Sequence, residues 1–124
     1  EILQMQNQFN DHCENTKLIF KEIVNECCKL LDNSKIKYIK PTSAWYIFLD
    51  FSYYEKKLKE LNIKNSYELS YYLIDKLGIV NVAGEAFNCK GLNIRLSLVD
   101  FKLINGKVNY DNIILALKKI LSFL

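Results

Sequence analysis

Residues 2–31 contain neither glycine nor proline, and their apolar side chains recur at helical spacing. The repeat runs through Phe20, Ile23, Val24, Cys27, Cys28 and Leu31, with Phe9 and Cys13 continuing the same face upstream. This pattern predicts one long amphipathic helix, or two in series. Turn-forming residues at positions 32–34 end the pattern, so we expect a helical lead-in over residues 1–34 and a domain over residues 35–124.

Four short segments after this helix have the composition of strands. They are residues 35–40, 45–50, 79–83 and 92–98. Apolar and polar residues alternate in 35–40, just before the only proline, Pro41, and they alternate strictly in 92–98. Aromatic residues fall on both faces of 45–50, which predicts a strand that is buried on both sides.

Two further helices are predicted among these strands. One begins at Ser66, a favoured N-cap residue, and ends at Gly78, which can adopt the left-handed conformation of a helix end. The other follows a turn at Asn105-Gly106, is capped by Asn109 and carries an apolar stripe up to Leu124. The resulting order of elements predicts an α+β domain: a small, mostly antiparallel or mixed sheet of about four strands covered by helices.

Composition limits the classes of function. With 124 residues, 50% hydrophobic and 25% charged, the chain is typical of one soluble globular domain. A net charge of +3 spread over scattered lysines does not predict a nucleic-acid surface. No apolar run approaches the ~20 residues needed to cross a bilayer, and no secretory signal is recognisable. We therefore expect no membrane partner and a cytoplasmic location.

The cysteines and the single histidine do not predict a metal site. Cys27 and Cys28 are adjacent, which is poor geometry for a disulfide or for metal ligation. Together with Cys13 they lie on the helical pattern, so buried free thiols are expected. His12 lies on the same amphipathic helix, where a surface or boundary position is the usual role.

Arg95 is the only arginine among seventeen basic residues. It lies in the alternating segment 92–98, where Asn93, Arg95 and Ser97 share one strand face. A guanidinium binds a carboxylate or phosphate through two parallel hydrogen bonds, which an ammonium group cannot do. Arg95 is therefore the candidate binding residue. The alternative is a solvated charge on an edge strand.

Two segments resemble a known family. Residues 41–50, Pro-Thr-Ser-Ala-Trp-Tyr-Ile-Phe-Leu-Asp, are similar to the Pro-x-Gly-Ala-Phe-Tyr strand entry of the class I/II, fold-type I pyridoxal-phosphate aminotransferases. Residues 77–87, Leu-Gly-Ile-Val-Asn-Val-Ala-Gly-Glu-Ala-Phe, and then 94–97, Ile-Arg-Leu-Ser, are similar to the signature of the C-terminal small domain of that family. Ser43 and Ala83 depart from the family pattern, which usually has Gly and Pro there.

The resemblance implies a function, and it implies that the substrate-binding and cofactor-binding residues lie in different domains. Arg95 would bind the α-carboxylate of an amino-acid or 2-oxo-acid substrate, and Gly84 and Phe87 would shape the site. Pyridoxal phosphate and its lysine would lie in a large domain that this segment lacks, so we expect no catalytic, cofactor-binding or metal-binding residue here. The expected partners are that large domain and a second copy in a homodimer, and the segment alone should be inactive.

The residues themselves are also compatible with a different class of function. The departures at Ser43 and Ala83 would also fit a non-catalytic α+β interaction or regulatory domain that shares the fold. Its long first helix would then pack on a partner.

Overall fold

The computed structural model describes residues 1–43 and 45–124, and Ala44 of the 41–50 segment lies outside the described residues. The helices and strands, in chain order, are α1 (Ile2–Asp32), β1 (Lys37–Tyr38), β2 (Tyr46–Asp50), α2 (Glu55–Glu60), α3 (Ser66–Leu77), β3 (Val82–Ala83), β4 (Asn93–Ser97), β5 (Lys102–Ile104), β6 (Lys107–Asn109) and α4 (Asp111–Phe123). Short 3-10 helices occupy Ser52–Tyr54 and Gly84–Phe87. The α+β class, the long first helix and the four-stranded sheet are confirmed.

The four-stranded sheet is antiparallel throughout, in the order β1-β2-β4-β3. Its longest pairing joins β2 to β4, from Tyr46 opposite Ser97 to Asp50 opposite Asn93. β4 is thus an inner strand, and Arg95 does not lie at the edge of the sheet. Because β4 pairs with β2 on one side and with β3 on the other, the backbone around Arg95 is fixed by two ladders of hydrogen bonds.

The two faces of this sheet have different environments. Ile47, Leu49, Ile94 and Leu96 point to one face and form a single core with the buried residues of α1, α3 and α4. Residues that alternate with them on β2 and β4 point to the opposite face, where Tyr46 is 43% exposed. The prediction that both faces of 45–50 are buried is therefore wrong, because the three long helices pack on the same side of the sheet.

Only the end of α1 belongs to the core. Its fully buried residues are Ile23, Val24, Cys27, Cys28 and Leu31. Phe9 is 65% exposed, so the prediction that it continues the buried face is wrong. A helix of 31 residues extends ~46 Å, and its buried residues occupy only the C-terminal third of that length.

The boundaries of α3 depend on two caps. Gly78 ends the helix in the left-handed conformation, at φ 69°, as predicted. The N-cap is Asn65 rather than Ser66: the N–H of Glu68 donates to Asn65 Oδ1 at 2.9 Å, and the Glu68 carboxylate accepts from the N–H of Lys64. Ser66 is instead buried within the first turn, where its hydroxyl is free to serve another segment.

A two-stranded hairpin precedes α4 and was not predicted. β5 and β6 pair around Asn105 and Gly106, whose φ angles of 52° and 75° confirm the predicted turn. The N-cap of α4 is Tyr110 rather than the predicted Asn109, because the chain bends one residue later; Asn109 Oδ1 accepts a hydrogen bond from the N–H of Asp111, the first residue of the helix. The hairpin forms its own small sheet beside the main one.

Candidate functional site

Arg95 lies at the centre of the face of the sheet that the helices leave open. In the register it stands opposite Phe48 of β2 and Val82 of β3. Its side chain is half-buried, and its guanidinium carbon lies 4.1 Å from the centre of the Tyr46 ring and 4.3 Å from that of Phe87. At these distances both rings make cation–π contacts with the guanidinium.

Tyr46 reaches Arg95 through the geometry of the antiparallel ladder. It stands opposite Ser97, one same-face position along from Arg95, and such diagonal neighbours are within reach of an aromatic side chain. The sequence assigned Tyr46 to core packing and did not predict this contact. The sequence feature that could have indicated this contact is the alternation of Tyr46 with Ile47 and Leu49, because it places the aromatic residues of β2 on the face opposite the core.

Phe87 comes from the other side of β4, at the end of the 3-10 helix that follows β3. The N–H of Glu85 in this turn donates to the buried Ser66 Oγ at 3.0 Å, and the N–H of Cys89 donates to the Gly84 carbonyl at 3.1 Å. Asn88, at φ 59°, then turns the chain back towards β4. The turn is therefore fastened to α3, and Phe87 is presented to Arg95 from a fixed backbone.

Gly84 brings this turn into direct contact with β4. A Cβ atom at position 84 would lie 1.6 Å from Oδ1 of Asn93 and 3.2 Å from its backbone oxygen. Asn93 is buried, and its Nδ2 donates to the Lys90 carbonyl at 3.0 Å, which holds the side chain across the turn. Only glycine permits so close an approach.

Arg95 has no acidic partner within residues 1–43 and 45–124. The ion pairs found there join Lys17, Lys29, Lys59 and Lys76 to neighbouring carboxylates on their own helices. The same residues accept no hydrogen bond from the Arg95 side chain. Its N–H donors are therefore free for a ligand, while its charge stays on a rigid strand.

The described donor set around Arg95 does not fit pyridoxal phosphate. That cofactor needs a lysine amine, an acidic group at its pyridine nitrogen and donors for its phosphate. Lys37 and Asp50, which share this face, stand opposite each other at the far end of the sheet from Tyr46. Asp50 already accepts from the N–H of Ser52 at 2.9 Å. A cofactor would therefore have to be held by other residues.

The remaining sequence candidates lie elsewhere. His12 is exposed on α1, as predicted, where it borders a groove of about 820 Å³ between α1 and the segment that precedes β2. Cys27 and Cys28 are buried free thiols, and Cys13 is a half-buried one.

Across the described parts of the chain, no three His, Cys, Asp or Glu side chains are grouped to hold a metal ion. None of the helices described has the length and apolar character to cross a membrane.

No protein-family model matches the chain. Among curated proteins it is similar to a probable aspartate/prephenate aminotransferase of Aquifex aeolicus (strain VF5), with 36% identity over 69 residues. That match covers 55% of this chain and 16% of the Aquifex protein. The chain thus spans only about a sixth of the length of this relative.

Solved structures of aminotransferases have the same fold. A tetra mutant of the Thermus thermophilus aspartate aminotransferase matches 98% of this chain with a TM-score of 0.74 and 19% identity, over 29% of its own length. An aromatic aminotransferase from Pyrococcus horikoshii OT3 matches 92% with a TM-score of 0.68 and 19% identity, over 26% of its length. In fold and in sequence, the chain therefore resembles the small domain of the fold-type I, pyridoxal-phosphate-dependent aminotransferases.

Proposed function

We propose that this chain is the C-terminal, substrate-binding small domain of a pyridoxal-phosphate-dependent aminotransferase, and that Arg95 binds the α-carboxylate of the substrate. The proposal rests on the position and the unpaired guanidinium of Arg95 among the described residues. In the part of the chain that the structure describes, this guanidinium has no acidic partner, and it lies on the inner strand β4, where the family resemblance expects the carboxylate-binding arginine. The relatives named as aminotransferases support the reaction class.

Carboxylate binding by Arg95 suits both substrates of an amino-group transfer. The amino acid and the 2-oxo acid carry the same α-carboxylate, so one guanidinium can orient either of them. Two parallel N–H donors fix the position and the plane of that carboxylate, and each charged hydrogen bond contributes ~1.5–3 kcal/mol. Pyridoxal phosphate, when bound by the remaining protein, would supply the chemistry of the transfer itself.

The open face of the sheet supports a location beside a second body. Tyr46 and Phe87 are 43% and 41% exposed, yet they surround the candidate binding group. A large domain placed against this face would exclude water from Arg95 and strengthen its interaction with a carboxylate. We further propose that this large domain holds the cofactor, that the whole protein is a homodimer, and that the isolated chain is inactive.

The proposal is tested on the natural polypeptide that carries these residues. We expect a visible absorbance band that is lost on borohydride reduction, with the mass of a reduced pyridoxal group left on a lysine outside residues 1–124. The 124-residue chain, treated in the same way, is the matched control and should stay unmodified. A natural polypeptide that shows no band and no added mass would contradict the proposal and favour the non-catalytic interaction domain.

A further inference from the structure

The orientation of Arg95 has a physical cause other than an ion pair. Buried or half-buried arginines are commonly held by a carboxylate, which also consumes their donors and offsets their charge. Here two aromatic rings, Tyr46 at 4.1 Å and Phe87 at 4.3 Å, contact the guanidinium instead. A ring face attracts the guanidinium without offering an oxygen acceptor, so the contact leaves the N–H groups without a hydrogen-bond partner among the described residues and available to a ligand.

The two rings arrive from the two strands that flank β4. Tyr46 belongs to β2, and Phe87 follows β3 in a turn fastened by the bond from Glu85 to Ser66 Oγ and by the packing of Gly84 on Asn93. Both rings are therefore attached to backbone that is fixed independently of Arg95. Their positions restrict the long arginine side chain before any ligand arrives, which lowers the entropy lost on binding.

We propose that Tyr46 and Phe87 are positioning residues: their rings hold the Arg95 guanidinium ready for a carboxylate without neutralising its charge. This inference rests on the proposed role of Arg95 as the carboxylate-binding residue. It assigns to Phe87 a contact with the binding group itself, beyond shaping the site. It also gives Tyr46 a role on the open face.

The test compares a charged and a neutral ligand of the same shape. We would measure the Kd of the natural polypeptide for 3-phenylpropanoate and for its amide, 3-phenylpropanamide, by calorimetry. Phe87→Leu and Tyr46→Leu remove a ring, whereas Phe87→Tyr and Tyr46→Phe keep it. Because both positions are more than 40% exposed, these substitutions leave the core intact.

Each Leu variant should weaken binding of the carboxylate about fivefold or more, and change binding of the amide less than about twofold. The ring-preserving variants should bind both ligands within about twofold of the unchanged protein. Unchanged carboxylate binding in both Leu variants would overturn the inference. Equal weakening of carboxylate and amide would also overturn it, because the rings would then merely contact the apolar part of the ligand.

Arg95→Gln separates this inference from the function on which it rests. We expect this variant to lose most of its preference for the carboxylate over the amide. If it does, and the Leu variants do not weaken carboxylate binding, the positioning role is wrong while the role of Arg95 stands. If Arg95→Gln keeps the preference, Arg95 does not bind the carboxylate and both proposals are wrong.

Discussion

At the scale of single residues, the contact between Gly84 and Asn93 sets where Phe87 meets Arg95. Gly84 begins the 3-10 helix and Phe87 ends it. A displacement of the backbone at Gly84 would therefore also displace the Phe87 ring. The Asn93 side chain fills the space that any larger residue at position 84 would need. The backbone of Gly84 has no positive φ, so the requirement for glycine comes from packing and not from conformation.

Replacing Gly84 by alanine should therefore destabilise the chain. The new Cβ would lie 1.6 Å from Asn93 Oδ1, so the Asn93 side chain must move and lose its hydrogen bond to the Lys90 carbonyl. We expect Gly84→Ala to lower the free energy of unfolding by about 1–3 kcal/mol, as overpacking does elsewhere. Urea denaturation of the 124-residue chain measures this change.

A double-mutant cycle supplies the control for this prediction. In an Asn93→Ala background the obstructing side chain is gone, so Gly84→Ala should cost less than about 1 kcal/mol. The same cost in both backgrounds would mean that Asn93 is not what excludes a side chain at position 84.

The sequence predicted some of these residues and not others, for physical reasons. Arg95 was recognisable because it is the only arginine and lies in a strictly alternating segment. The ring of Tyr46 was assigned to the core because the sequence does not show that the helices cover only one face of the sheet, although the alternation with Ile47 and Leu49 separates the two faces. The N-cap was placed one residue late, at Ser66, although the spacing of Asn65 and Glu68 matches a capping box.

At the scale of elements, α1 is one continuous helix whose two parts differ in how much of their surface is packed. All its buried residues lie between Ile23 and Leu31, whereas its N-terminal half contains exposed apolar residues such as Met5 and Phe9. A helical stretch without packing is only marginally stable in water, so the two parts should differ in protection. Cys13 and Cys27 lie one in each part and report on them chemically.

The thiol of Cys27 should be unreactive in the folded chain. Burial, with smaller contributions from Cys28 and Glu26, raises the pKa of Cys27 from 9.0 to about 12. At pH 8 the reactive thiolate is then a fraction of ~10⁻⁴, and the reagent also lacks access. Labelling with a disulfide reagent, followed by peptide mass mapping, should modify Cys13 rapidly and Cys27 only after unfolding in urea. Equal rates for the two under native conditions would contradict the packing of α1.

Helices were better predicted than strands because they are longer. The repeats of α1, α3 and α4 extend over 31, 12 and 13 residues, enough to define an apolar face. β5 and β6 have three residues each, too few for alternation to be seen, and only the Asn105-Gly106 turn was recognised. Strand order depends on contacts between distant segments, and the sequence carried no local signal of it.

At the scale of the whole molecule, the chain is a sheet covered by helices on one side and open on the other. The covered side accounts for the core, and the open side carries Arg95 with its two rings. Such a surface is suited to closing over a ligand against a second body, which is how a small domain would contribute to a shared active site. The sequence did not predict the open side, because the strand at 45–50 was expected to be buried on both faces.

The most direct test of the account is the kcat/KM for amino-group transfer of the natural polypeptide with Arg95→Lys, compared with Lys37→Met. The lysine keeps a positive charge but loses the bidentate fork, whereas Lys37→Met removes a charge from the same face at its far end. We expect kcat/KM to fall by about 100-fold or more with Arg95→Lys, which corresponds to ~3 kcal/mol, and to change less than about threefold with Lys37→Met. An unchanged kcat/KM with Arg95→Lys would contradict the assignment of Arg95 as the carboxylate-binding residue.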